Sequence, residues 1–333
     1  MRKVLSLFIA VVLFVSCIGC SKTSFTYTEL SPEENLSSSE EEIFSSTLEE
    51  IPSTDPFVFT LDYTILPEDQ LVYLENEDAV SEWKQLVQAI CNGLSFVEFT
   101  DMSKYPAVSH ILEKSLYADL VTLSSDGTCL FIEYSEKNSI EAITSSVTSL
   151  FTEALGTEHN SFETLISLYK TAASFEYKDN ADYSLYRTLS EHSGNAEEIA
   201  AALQYMLTQA GFTSYIASYT STTISHAWVI AEISGNLYHF DPVFESTATN
   251  GHGLSYFGMS DKTHAAALGR DIYIIGLHSL AEEHTDLCTS NTLELLFTDA
   301  TQYTLDTQTH TISVCYGFDT EKQTEFHTEA FTN

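Results

Sequence analysis

The sequence predicts an α+β domain, and three observations carry that reading. Residues 196–210 compose a helix, with Ala200, Ala201, Leu203 and Leu207 along it, no breaker inside it and Gly211 just past its end. Three β-prone runs follow, FTSYIASYT, HAWVIAEIS and NLYHFDPVF, the last two joined by a hairpin-like turn at Gly235-Asn236. A central helix followed by antiparallel strands is an α+β arrangement. A smaller mixed α/β region precedes it.

Size and charge bound what such a chain can do. Its 333 residues suffice for one large domain or two modest ones with tails. Against 48 acidic residues stand 13 Lys and Arg, a formal net charge of −35 that argues against nucleic acid and bare anionic lipid as partners. Aromatic residues make up 12% of the chain, enough buried ring area to argue against wholesale disorder.

Residues 1–20 read as a lipoprotein signal peptide. MRK is a basic start, VLSLFIAVVLFV an uncharged apolar run, and SCIGCSK places Cys20 after the small residue Gly19. The apolar run falls short of the ~20 residues a spanning helix needs. Cys17 is the alternative lipidation site, and an ordinary secretory signal the alternative reading. Residues 21–55, rich in Ser, Thr and Glu, read as a disordered tether.

Residues 56–156 form the mixed α/β region. It opens on an expected strand, FVFTLDYT, and a helix around AVSEWKQLVQAICNGL, whose Trp83, Leu86, Val87 and Ile90 share one face. A second helix is expected near AVSHILEKSLYADL, then a hairpin across LVTLSSDGTCLFIEYS turning at Asp126-Gly127. A further helix follows Asn138, a residue type suited to its N-cap. Residues 157–280 form the core and 281–333 a β-rich C-terminal extension. The core opens with a helix over NSFETLISLYKTAASFEY, and KDNADYSLYRTLSEHSGN reads as an interrupted, turn-rich stretch. Cys91 and Cys129, each among apolar residues, read as buried thiols. No C-x-x-C pair supports a structural zinc site.

Four motifs then occur in order: YSLYRTL before Gly194-Asn195-Ala196; the helix ending in AALQYMLTQAGF; His226-Ala227-Trp228; and Tyr238-His239-Phe240-Asp241 followed by Pro242 and Phe244. A later stretch, LSYFGMSDKTHAAAL, follows the set. Together, from about Phe162 to Leu268, this resembles the transglutaminase-like core, a relative of the papain-type cysteine-protease fold. The resemblance implies a Cys at the start of the central helix, a His beginning the second following strand and an Asp on the third. It makes His226 the general base and Asp241 its orienter. The nucleophile's position holds Ala196, and no Cys lies between residues 130 and 287. A methyl group cannot be activated by any base.

Other readings use the same residues. Ser193, three positions earlier, or a water activated by His226 could supply a nucleophile, and His192 could neighbour the site. His226, His239 and Asp241 are zinc-ligand types, though His239 is expected to point away from the triad remnant. The His–Asp pair could also persist for structure alone. The resemblance favours a catalytically inactive domain with no metal and no cofactor, lipid-anchored at the extracytoplasmic face of the cell membrane. Its partner would be an extended peptide or protein held in the vestigial groove. The alternative is an active hydrolase or acyltransferase with an unrecognised nucleophile.

Mass spectrometry of the mature N-terminus is expected to find lipid on Cys20. A soluble form beginning beyond Cys20 contradicts the anchor.

Overall fold

The computed structural model describes residues 59–156, 160–248, 253–276, 282–297, 300–316 and 323–331, and the signal-peptide and tether residues, with Cys17 and Cys20, lie outside them. No helix among the described residues is long and apolar enough to cross a membrane.

The described residues of the expected strand, 59–64, do not form one. Residues 59–62 are irregular, because the backbone of Asp62 is engaged by a side chain instead of a ladder. Its N–H donates to Gln209 Oε1 (3.1 Å) and its carbonyl accepts from Gln209 Nε2 (2.9 Å). Helices α1 (Glu68–Asn76) and α2 (Val80–Cys91) follow, α2 burying Trp83, Leu86, Val87 and Ile90 as its spacing predicts. Strand β1 (Phe96–Val97) pairs antiparallel with β3 (Leu130–Tyr134), and α3 (Tyr105–Leu112) lies between them in sequence. The hairpin of β2 (Val121–Ser125) and β3 turns at Asp126-Gly127, where Asp126 Oδ1 accepts from the Thr128 and Cys129 amides. Helix α4 (Ile140–Leu155) is capped by Ser139, not Asn138, whose side chain donates to the Asp119 carbonyl.

Helix α5 (Ser161–Ala173) starts on a capping box between Asn160 and Glu163. The stretch read as turns contains β4 (Glu176–Tyr177) and a short helix, α6 (Leu185–Glu191), capped by Ser184. That helix survives its modest length by packing on α4 and α7. Strand β5 (Ser193–Gly194) pairs with β4 and leads directly into α7 (Ala196–Gln209), the central helix. Gly211 closes α7 in a Schellman arrangement. The Phe212 amide reaches the Leu207 carbonyl at 2.9 Å, the Gly211 amide reaches Thr208 at 3.0 Å, and Gly211 stands at φ +85°.

Strands β6 (Ser214–Thr220), β7 (Ser225–Ile233) and β8 (Asn236–Phe240) form successive antiparallel pairs. The β7–β8 turn is Ser234-Gly235, one residue earlier than expected, with φ +50° and +76° as a type I′ turn demands. Asp241 then caps α8 (Pro242–Thr247). Strand β9 (Phe257–Met259), helix α9 (Asp261–Leu268), β10 (Tyr273–Ile275) and β11 (Glu282–His284) complete a six-stranded sheet ordered β11-β10-β6-β7-β8-β9. After α10 (Thr292–Phe297), strands β12 (Ala300–Asp306), β13 (Thr311–Tyr316) and β14 (Gln323–His327) make a separate three-stranded sheet.

Alternation along β7 divides the interior in two. Ala227, Val229 and Ala231 join the main core with α5 and α7, and that core runs from Leu61 through to Val314. Trp228 and Ile230 join a smaller cluster with Leu268, Tyr273 and Cys288. The buried carboxylate of Glu163 ties the C-terminal sheet to α5, accepting from Thr328 Oγ1 at 2.8 Å with His310 Nδ1 at 3.0 Å. No cysteine among the described residues is in a disulfide, and Cys91 and Cys129 are half-buried where full burial was expected. Each sits at the edge of its element, at the last turn of α2 and just before β3.

Close packing of β9 against α10 demands glycine at position 258. Its φ is +68°, and a Cβ placed there would stand 2.5 Å from the Leu293 Cβ. Gly258→Ala is therefore expected to cost at least about 2 kcal/mol, read from a denaturant midpoint. An unchanged midpoint contradicts this contact.

Candidate functional site

The site grows from Asp241, placed where β8 ends and α8 begins. One carboxylate oxygen, Oδ1, caps α8 by accepting the Phe244 amide at 2.9 Å. The other, Oδ2, lies 2.7 Å from His226 Nε2 and 3.0 Å from His264 Nε2. His226 comes from the start of β7, and His264 from the buried face of α9, one turn before Leu268. All three side chains are buried.

Backbone contacts hold Asp241 as well. Its amide donates to the Tyr256 carbonyl (3.1 Å), and its own carbonyl accepts from Tyr169 Oη on α5 (3.2 Å). Burial alone would raise the carboxyl's pKa, but the hydrogen bonds from His226 and His264 outweigh it and hold the value at about 2. An ionised carboxylate only accepts, so both Nε2 atoms carry protons and donate.

Aromatic neighbours set the ring planes. His226 stacks on Phe244 with centroids 4.3 Å apart, and His264 packs on Trp228 at 4.3 Å and on His239 at 4.7 Å. His239 therefore does not point away from the site, because i and i+2 residues of a strand share a face and put it beside Asp241. Yet it belongs to a different polar chain. Trp228 Nε1–H donates to His239 Nδ1 at 2.7 Å, and indole can only donate, so His239 Nε2 carries the proton. That Nε2 meets Asp261 Oδ1 at 2.9 Å. Tyr273 Oη and the Cys288 amide also donate to Asp261. Sequence reasoning thus grouped His226, His239 and Asp241, whereas the fold exchanges His239 for His264. The available signal was His264 and Leu268 four apart on one face of a short capped helix.

Ala196 is the first residue of α7, buried in the main core rather than lining an open groove. Glu197 and Glu198 occupy the same first turn, and Glu198 closes a capping box with Asn195. Two glutamates work against the positive end of the helix dipole, which makes this helix start a poor place to hold a thiolate. Ser193 is buried and accepts from Lys178 Nζ at 3.2 Å. Hydrogen bonding to Glu176 pushes the lysine's pKa up, so Lys178 stays an ammonium and cannot deprotonate the serine. The stacking of His192 on Phe175 places it outside this cluster. Cys288 is no substitute either, since burial and then the Asp261 charge push its thiol pKa up.

No known family model matches the sequence, and no curated protein does. Among solved structures, the chain is similar to a proposed cysteine protease from Cytophaga hutchinsonii, with a TM-score of 0.25 and 18% identity over 28% of this chain and 35% of that one. It is also similar to a structure of a TGase, with a TM-score of 0.28 and 11% identity over 47% of this chain and 50% of that one. The chain thus spans half or less of the length of these structures. The functional reading rests on the residues themselves.

His239 makes stability depend on pH. Burial lowers its pKa from 6.5 to about 4, and a second ring proton would face the Trp228 N–H. The unfolded chain takes up a proton between these values while the folded chain does not. Stability is therefore intact above pH 6.5 and lost as pH falls towards 4, by at most about 3 kcal/mol. Urea unfolding at pH 7 and pH 4.5 should show a larger loss for the natural protein than for His239→Gln. Equal losses contradict the neutral, buried His239.

Proposed function

We propose that this chain is a surface-anchored lipoprotein whose transglutaminase-like core has lost acyl-transfer chemistry and serves as a peptide- or protein-binding module. The observation that carries the reading is an intact His226–Asp241 hydrogen bond, 2.7 Å long, with alanine at the head of the central helix. The base and its orienter are kept, and the thiol they would activate is missing.

Topology supports pairing residue 196 with His226. The C-terminal end of α7 leads into β6, and Gln204 Nε2 donates to the Ser214 carbonyl at 3.2 Å. The start of α7 therefore lies towards the other end of β6, where Tyr219 is registered opposite His226. The acidic first turn of α7 supports the loss of chemistry, because Glu197 and Glu198 offset the helix dipole that would favour a thiolate. The Ser, Thr and Glu run of residues 21–55 supplies the tether, and Cys20 its anchor. A peptide bound at this core would be held without being cut.

Replacing Ala196 by Cys tests the vacancy. The added sulfur enters a packed position, at a cost of about 1 kcal/mol. With Glu197 and Glu198 opposing the dipole, only His226 can bring the thiol below the ~8.5 of free cysteine. Iodoacetamide reactivity against pH should therefore give a depressed value for Ala196→Cys and a normal one after a second change, His226→Ala. A thiol that titrates near ~8.5 in both overturns the pseudoenzyme reading.

A further inference from the structure

We propose that His226, Asp241 and His264 together bind a divalent transition metal of the zinc class. Two imidazole nitrogens and one carboxylate oxygen converge here, all within 4.8 Å of one another. They come from three separate elements, β7, the β8–α8 junction and α9. Two neutral nitrogens and one ionised oxygen suit zinc, cobalt(II) or nickel(II), whereas magnesium and calcium take oxygen ligands.

The ligands are held in place by a supporting shell. Phe244 lies flat against the His226 ring, Trp228 and His239 pack on the His264 ring, and the Phe244 amide holds the second carboxylate oxygen. Such outer contacts fix ligand orientation in metal centres. Metal loading shifts each ring to its other neutral tautomer, the proton moving from Nε2 to Nδ1 as Nε2 takes the metal. Tetrahedral bonds of about 2.0–2.1 Å set neighbouring ligand atoms about 3.3 Å apart, so the 2.7 and 3.0 Å contacts open by a few tenths of an ångström. With three protein ligands, the fourth position is left for water or a bound group. His239 is not a ligand, since Trp228 and Asp261 occupy both its ring nitrogens.

This inference does not depend on the peptide-binding reading, since the fate of a thiol at position 196 says nothing about metal affinity. Its test must separate the site from the chain's many carboxylates and from its cysteines. The full chain, stripped with chelator, is titrated with zinc and with cobalt(II) in excess magnesium, which occupies weak carboxylate sites. The natural protein and the control His310→Gln should each retain one zinc per chain. His264→Gln keeps an N–H for Asp241 yet should weaken zinc binding at least about tenfold. Cobalt should give visible d–d absorption without the near-ultraviolet band of a thiolate ligand. Should circular dichroism show His264→Gln unfolded, His226→Gln is read in its place. Zinc retention no greater than with magnesium alone, affinity unchanged in the folded histidine variant, or a thiolate band each overturns the proposal.

Discussion

A single buried carboxylate, that of Asp241, is the constraint around which the centre of this molecule is arranged. A charge removed from water is costly unless every lone pair finds a donor. Here the donors are two imidazoles and a helix N-terminal amide, and they hold the group ionised to about pH 2. Those donors must arrive from β7, α8 and α9, so the end of the sheet and two helices are fixed relative to one another by one residue. Tyr169, whose hydroxyl reaches the Asp241 carbonyl and Glu245, joins α5 to the same point.

From that point polar order spreads through aromatic contacts. His264 stacks on His239, His239 accepts from Trp228, and Asp261 gathers His239, Tyr273 and the Cys288 amide. The two chains of groups touch only through ring faces, so each keeps its own protonation logic. Around Asp241 the imidazoles must donate. At His239 the indole forces a neutral tautomer, and burial keeps it neutral well below the usual histidine range. Both arrangements place chemistry on the face of β7 that carries Trp228, while Ala227 and Val229 serve the main core.

Much of this was legible in the sequence where local rules act. The central helix, its Gly211 stop, the three strands and the Asp126-Gly127 turn follow from periodicity and turn chemistry, and His226 and Asp241 from ordered motifs. What failed did so for tertiary reasons. Residues 59–64 look β-prone, but Gln209, 147 positions from Asp62, takes up the backbone groups of a would-be ladder. The spacing of His264 to Leu268 marks it only as a buried position of its helix, and its role comes from Asp241, 23 residues away. The partition of His239 away from Asp241 needed the Trp228 indole and the Asp261 carboxylate in three dimensions.

The claim that Asp241 organises a two-histidine site is tested most directly by imidazole nitrogen NMR on the metal-free protein near neutral pH. His226 and His264 should both carry their proton on Nε2, with the two signals shifting together when Asp241 is replaced by Asn. His239 should appear as a neutral Nε2–H tautomer that the replacement leaves in place. Either His226 or His264 found with its proton on Nδ1 alone, or insensitive to loss of the Asp241 charge, contradicts the account.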